Sequence, residues 1–138
     1  MATIKTKYVG NLRTEAEHLQ SGAKITTDAP LDNHGKGETF SPTDLFAASY
    51  ASCALTIIGI ATQTHGFDID GARVETTKVM GENPRRVVEL IVNFTFPHNS
   101  YSDKERKIIE EAIQGCPVAS SVSADLKITS TINYIELI

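Results

Sequence analysis

The longest featureless stretch of this chain is the best place to start. Between Leu45 and Ala61 no residue is charged, and the side chains are Leu, Phe, Ala, Ser, Tyr, Cys, Thr, Ile and Gly. Such a run predicts a helix, Pro42 to Thr64, that is apolar all round and so buried on most sides. Ser41 is a suitable N-cap, Pro42 fits the first helical position, and Asp44 completes an acidic variant of the capping box. His65-Gly66 ends the run, with Gly66 as the left-handed residue past the helix. Ala47, Ala48, Ser49, Ala51, Ser52 and Ala54 are small enough to let another helix, or a second copy of this one, come close.

The flanking segments read as strands and one further helix. Up to residue 28 the chain suggests an antiparallel meander: Ile4, Tyr8 and Leu12 among polar residues, then Arg13 to Leu19, a turn at Gln20-Ser21-Gly22, and Ala23 to Thr27. Residues 28–41 hold Pro, Asn and two Gly and predict a loop. After the long helix, Ile69 to Met80 predicts a strand, broken at Asn83-Pro84. Arg86 to Phe96 follows as the strongest strand signal, with Leu90, Val92, Phe94 and Phe96 on one alternating face. Ser102, with Glu105 three residues on, starts a second helix whose apolar stripe is Ile108, Ile109, Ala112 and Ile113; its charged residues are expected mostly to face water. Gly115 ends it. Cys116-Pro117 opens a short helical turn to Val122, and Leu126 to Ile135 is a closing strand. The order β-β-β-α-β-β-α-β is an α+β pattern.

At 138 residues the length fits a single domain spanning 1–138. Hydrophobic content is 41% and charged content 22%, ordinary values for a globular protein. A net charge of −4 with no basic run, no Trp and 7% aromatics argue against nucleic acid. No run is expected to reach the roughly 18 apolar residues of a membrane span, and the N-terminus lacks the apolar core of a secretory signal. The expected location is therefore the cytoplasm, where thiols are kept reduced and a purely structural disulfide is disfavoured.

That context sharpens the reading of the only two cysteines, Cys53 in the long helix and Cys116 at the start of the Cys-Pro-Val turn. A helical thiol and a second thiol at a helix start form a candidate peroxidatic and resolving pair. The first attacks a peroxide and becomes a sulfenic acid, and the second condenses with it to a disulfide. The alternative is that each is a small, inert core residue. At a helix start the dipole is expected to favour the Cys116 thiolate. Tyr50 and Ile57 share the Cys53 face, with Phe46 a turn earlier, and are candidates for an apolar pocket or for ordinary packing. The four histidines have no paired spacing with either cysteine, so no metal is expected although the ligand types would suit zinc. Gly35-Lys-Gly37 is too short for a phosphate loop and reads as backbone freedom before the helix.

Phe40-Ser-Pro-Thr-Asp-Leu-Phe-Ala-Ala-Ser-Tyr-Ala-Ser-Cys53 and Cys116-Pro-Val118, with Asp28-Ala-Pro30 and Gly35-Lys-Gly37, make the chain resemble the OsmC/Ohr family of osmotically induced and organic hydroperoxide resistance proteins. The resemblance covers nearly the whole chain. It implies antiparallel sheets wrapped around a long central helix, and an intertwined homodimer with active sites at its interface. It also implies thiol-dependent reduction of organic hydroperoxides without cofactor, with an external thiol or dithiol as reductant. By the resemblance Cys53 attacks, Cys116 resolves and Arg13 supplies the cation that favours a thiolate and stabilises charge as the O–O bond breaks. The chain departs from the family's best-known members at one point. Their arginine holds a glutamate ten residues before the attacking cysteine, and here that position is Thr43. Asp44 is the nearest acid, either a second catalytic partner or a helix cap; Glu38 and Glu15 are other candidate partners for Arg13. The departure leaves a rival reading, the same fold without efficient peroxidase activity, binding an apolar small molecule at the dimer interface. A third reading is a stress-associated structural dimer with inert thiols.

Overall fold

The computed structural model describes residues 1–135. Its chain forms two compact units, Met1–Phe46 and Ala47–Ile138.

In the first unit, β1 (Ile4–Gly10), β2 (Arg13–His18) and β3 (Lys24–Asp28) form an antiparallel sheet in that order. The β2–β3 hairpin turns about Gln20 and Ser21, where His18 N–H bonds Ala23 O and Gly22 N–H bonds His18 O. That register puts Arg13 directly opposite Asp28. The β1–β2 turn is tight. Gly10, Asn11 and Leu12 all have positive φ, and Leu12, at 62°, holds a bulky side chain in the left-handed region. Its carbonyl accepts Ala29 N–H. The expected loop contains a 3-10 turn, Leu31–Asn33, and folds back so that Gly35 N–H bonds Pro30 O and Gly37 N–H bonds Ala29 O. A Cβ at Gly35 would collide with the Ala29 carbonyl, so glycine is required there by close approach.

Helix α1 spans Pro42–Thr64, as its sequence predicts. In the second unit it is followed by β4 (Arg73–Gly81), β5 (Arg86–Phe96), α2 (Asp103–Ile113), α3 (Pro117–Ser120) and β6 (Lys127–Tyr134). The α+β order is as expected. β4 starts later than Ile69 because Asp68 turns the chain, its carboxylate accepting Asp70 N–H, and Gly71 follows at φ 92°. The expected Ser102–Glu105 capping box is complete.

Three expectations are corrected. The sheet β4-β5-β6 is mixed: β4 pairs with β5 antiparallel, but β6 lies parallel to β5. The 97–126 connection, carrying α2 and α3, is long enough to return the chain to the same end of the sheet, which a parallel neighbour requires. Second, α1 is not buried on most sides. Its buried residues are Ala47, Tyr50, Ala54, Ile58 and Thr62, one stripe at three- and four-residue spacing. Ser49, Ser52, Thr56 and Ile60 are exposed, because a three-stranded sheet covers one face of a helix and no more. Third, α1 is long and apolar enough to cross a membrane by length and composition, with a mean hydropathy of 1.7 and 28% of that window buried. A core helix meets the same two criteria.

The core of the second unit is Leu90, Val92, Phe94 and Phe96 of β5 with Ile58, Ile109 and Cys116, all essentially inaccessible. At its edge Phe96, Tyr101 and Tyr134 pack ring to ring. Arg106 is the charged residue of α2 that turns inward, its guanidinium 4.3 Å over the Tyr134 ring.

Candidate active site

The second unit brings the two thiols together. Cys53, on α1, is half-buried; Cys116, the N-cap of α3, is fully buried, and neither is in a disulfide. The two thiols lie close enough for Cys53 to perturb the ionisation of Cys116. Burial pushes the Cys116 thiol up, and the neighbouring Cys53 pushes the same way. The N–H groups of Ala119 and Val118 pull it down but close no side-chain cap, so burial wins over the dipole effect expected from sequence. Cys116 therefore holds its proton more firmly than an ordinary thiol, while Cys53 is the accessible sulfur of the pair.

Tyr50 stands one turn before Cys53 on α1 and is 3% exposed. Its phenol lies close enough to Ser130 of β6 and to both sulfurs for each to affect its ionisation. Burial is the main reason its pKa is raised, so it stays a neutral hydrogen-bonding group beside the thiols. Ile57, one turn past Cys53, is half-buried. Thus Cys53, Cys116 and Tyr50 form one cluster. Sequence reasoning missed Ser130; strand alternation alone gives no sign of which helix residue it meets.

The other candidates lie in the first unit. Arg13 Nη2 is 2.7 Å from Glu38 Oε2 and 3.3 Å from Asp28 Oδ2. The Glu38 hydrogen bond is the main reason the Arg13 pKa is raised, followed by the Asp28 charge. The Asp28 carboxyl is held below its usual range, first by the Glu38 N–H at 3.1 Å and then, against the opposing effect of burial, by Arg13. Arg13 and Glu38 also line a cavity of about 320 Å³ together with Val9, Thr14, Thr27 and Thr39. Of the expected partners, Glu38 pairs with Arg13, whereas Glu15 faces Lys24 at 3.7 Å. Asp44 caps α1: its Oδ2 accepts Ser41 N–H at 2.9 Å and its own N–H donates to Ser41 Oγ at 3.1 Å. Thr43 shares a hydrogen bond with Ser41, and Phe46 is half-buried. Asp28 was legible in the sequence only as part of Asp-Ala-Pro; its pairing with Arg13 follows from the hairpin register.

Comparison with known proteins places the chain in a family. The family model of OsmC-like proteins matches residues 35–131. Among solved structures, a protein from Psychrobacter arcticus, provisionally named as an osmotic stress induced and detoxification response protein, is 50% identical with a TM-score of 0.91, covering 96% of each chain. An organic hydroperoxide resistance protein OsmC from Legionella pneumophila is 18% identical with a TM-score of 0.71, over 96% of this chain and 98% of its own. An organic hydroperoxide resistance protein from Elizabethkingia anophelis is 17% identical with a TM-score of 0.74, over 97% of each chain. The last two likenesses concern the fold. No curated protein matches the sequence.

Proposed function

The chain belongs to the OsmC-like family, and from that premise we propose that it is a cytoplasmic, thiol-dependent hydroperoxide reductase. The observation that carries the reading is the proximity of Cys53 and Cys116, neither in a disulfide, with only Cys53 accessible. The Cys53 thiolate attacks a peroxide oxygen; an S–O bond forms, the O–O bond breaks, and the alkoxide takes a proton and leaves as alcohol. Cys116 then gives up its proton and attacks the sulfenic sulfur, forming the disulfide and releasing water. An external dithiol returns two electrons and two protons. By the resemblance Arg13 serves as the cation of this chemistry. The raised Cys116 pKa suits a resolving thiol that is inert until Cys53 is oxidised.

The working unit in this reading is a homodimer. Only 28% of the apolar α1 window is buried within one chain, and the exposed Ile60 side of α1 offers small residues to a second copy.

The test is intact mass after one equivalent of cumene hydroperoxide on the reduced protein. Loss of two hydrogens, with a Cys53–Cys116 link in the peptide map, is the expected result. An unchanged mass with both thiols free would overturn the reading. The rival, a family fold that binds an apolar small molecule, is favoured by one observation: the acid at the α1 start is engaged as a cap. Tight binding of a hydrophobic probe without peroxide consumption would select it.

A further inference from the structure

We propose that Asp28 is the positioning residue for Arg13, holding the guanidinium from β3 in place of the acid that the family resemblance expects at the α1 start. The inference rests on the hydroperoxide-reductase reading for its meaning, though not for its geometry.

Position 43 is Thr, and the Asp44 carboxylate closes the cap of its own helix. Arg13 and Asp28 are cross-strand partners, directly opposite in the β2–β3 ladder, so the sheet register itself brings guanidinium to carboxylate. Asp28 is fully buried, the only charged residue so buried among the described residues. Its backbone N–H donates to Phe40 O, and its Oδ2 accepts both Arg13 and the Glu38 N–H. Its Oδ1 is buried with no partner among the described residues. A buried carboxylate so sparsely hydrogen-bonded depends on a counter-charge, and Arg13 is the one provided. Glu38 is of another kind: its side chain is 58% exposed, and exposed pairs hold weakly. Asp28 is thus the fixed anchor and Glu38 the solvated one.

The clasp also sets what Arg13 can still do. Both carboxylates take the same nitrogen, Nη2. Nε and Nη1 have no partner among the described residues, and the side chain is 37% exposed. Asp28 and Glu38 hold the guanidinium at Nη2, and the N–H donors on Nε and Nη1 are left to receive oxygens one at a time.

A double-mutant cycle tests this. D28N is compared with the parent, and D28N/R13A with R13A, for kcat/KM on cumene hydroperoxide. Alongside, phenylglyoxal labelling of Arg13 is followed by peptide mass in the folded proteins, with far-UV circular dichroism as the fold check. D28N is expected to lower kcat/KM by about tenfold or more when Arg13 is present and by less than about twofold when it is not. It is also expected to speed labelling of Arg13 selectively over Arg85 and Arg86. Should D28N not fold, D28E carries the same readouts. It keeps the charge but displaces it by one methylene, and faster Arg13 labelling is again expected. Equal effects of D28N with and without Arg13, or unchanged Arg13 labelling, would overturn the inference. If the parent consumes no peroxide, the reductase reading falls and the labelling alone decides the positioning.

Discussion

Replacing Ile58 with alanine probes the one face of α1 that the chain covers by itself. Ile58 is 0% exposed, in the stripe that also holds Tyr50 and Ala54. The substitution removes three carbons, about 2.4 kcal/mol at ~0.8 kcal/mol for each buried methylene. Incomplete collapse of the void adds to this, within the usual span of about 2–5 kcal/mol for such truncations, so about 3–4 kcal/mol is expected. Ile60, two residues on and 58% exposed, is the contrast: less than half the transfer term applies, about 1 kcal/mol. Urea unfolding of parent, I58A and I60A over a dilution series measures both. With a slope of about 1–3 kcal/mol per molar, I58A should lower the midpoint by about 1–4 M. If a second copy covers the Ile60 side, I60A should steepen the dependence of the midpoint on protein concentration while I58A lowers it at every concentration. I58A within about 1 kcal/mol of the parent, or I60A as damaging as I58A at the lowest concentration, would refute the reasoning.

Other outcomes follow from the thiols and caps. C116S should accumulate a Cys53 sulfenic acid that dimedone traps after peroxide treatment, whereas the parent should yield disulfide and little adduct; mass spectrometry decides. The Cys116 pKa is raised on folding, so its contribution to stability is full below the unfolded thiol value of about 8.5 and is lost as pH rises through the folded value. The parent should therefore lose more stability than C116A between neutral pH and about pH 10, read by urea titration at each pH. S102A removes the oxygen that accepts Glu105 N–H at 3.1 Å and should cost about 1 kcal/mol, measured as a shift in thermal midpoint.

Much of this architecture was legible because local chemistry specifies it. Pro42–Thr64 is bounded by a cap on one side and Gly66, at φ 78°, on the other, and both signals lie within a turn of the helix ends. The Ser102–Glu105 box and the alternating face of β5 are equally local. Strand direction is not: nothing in the pattern of residues 127–134 distinguishes a parallel from an antiparallel neighbour. The length of the 97–126 crossover was the available clue. In the site, the spacing of Tyr50 and Cys53 was readable from helical period, but the Cys53–Cys116 approach required tertiary packing. The dipole argument for Cys116 failed because α3, Pro117–Ser120, is a single turn and burial outweighs it. The Arg13–Asp28 pairing could have been found by folding the hairpin about Gln20 and Ser21 and reading off the opposing residue.

The parallel placement of β6 has a bearing on how the thiol cluster is assembled as the chain is made. β4 and β5 are neighbours in sequence and can pair as soon as they emerge, but the other edge of β5 has to wait for residues 127–134, after α2 and α3. Contacts of such long sequence separation form late because loop closure precedes any gain from pairing. Ser130, which neighbours the Tyr50 phenol, arrives with that strand. Both cysteines are therefore synthesised before their surroundings are closed, and a nascent or incompletely folded chain presents Cys116 to solvent. The interval before β6 docks is when this protein is most open to unwanted oxidation, and a slow final strand would lengthen it.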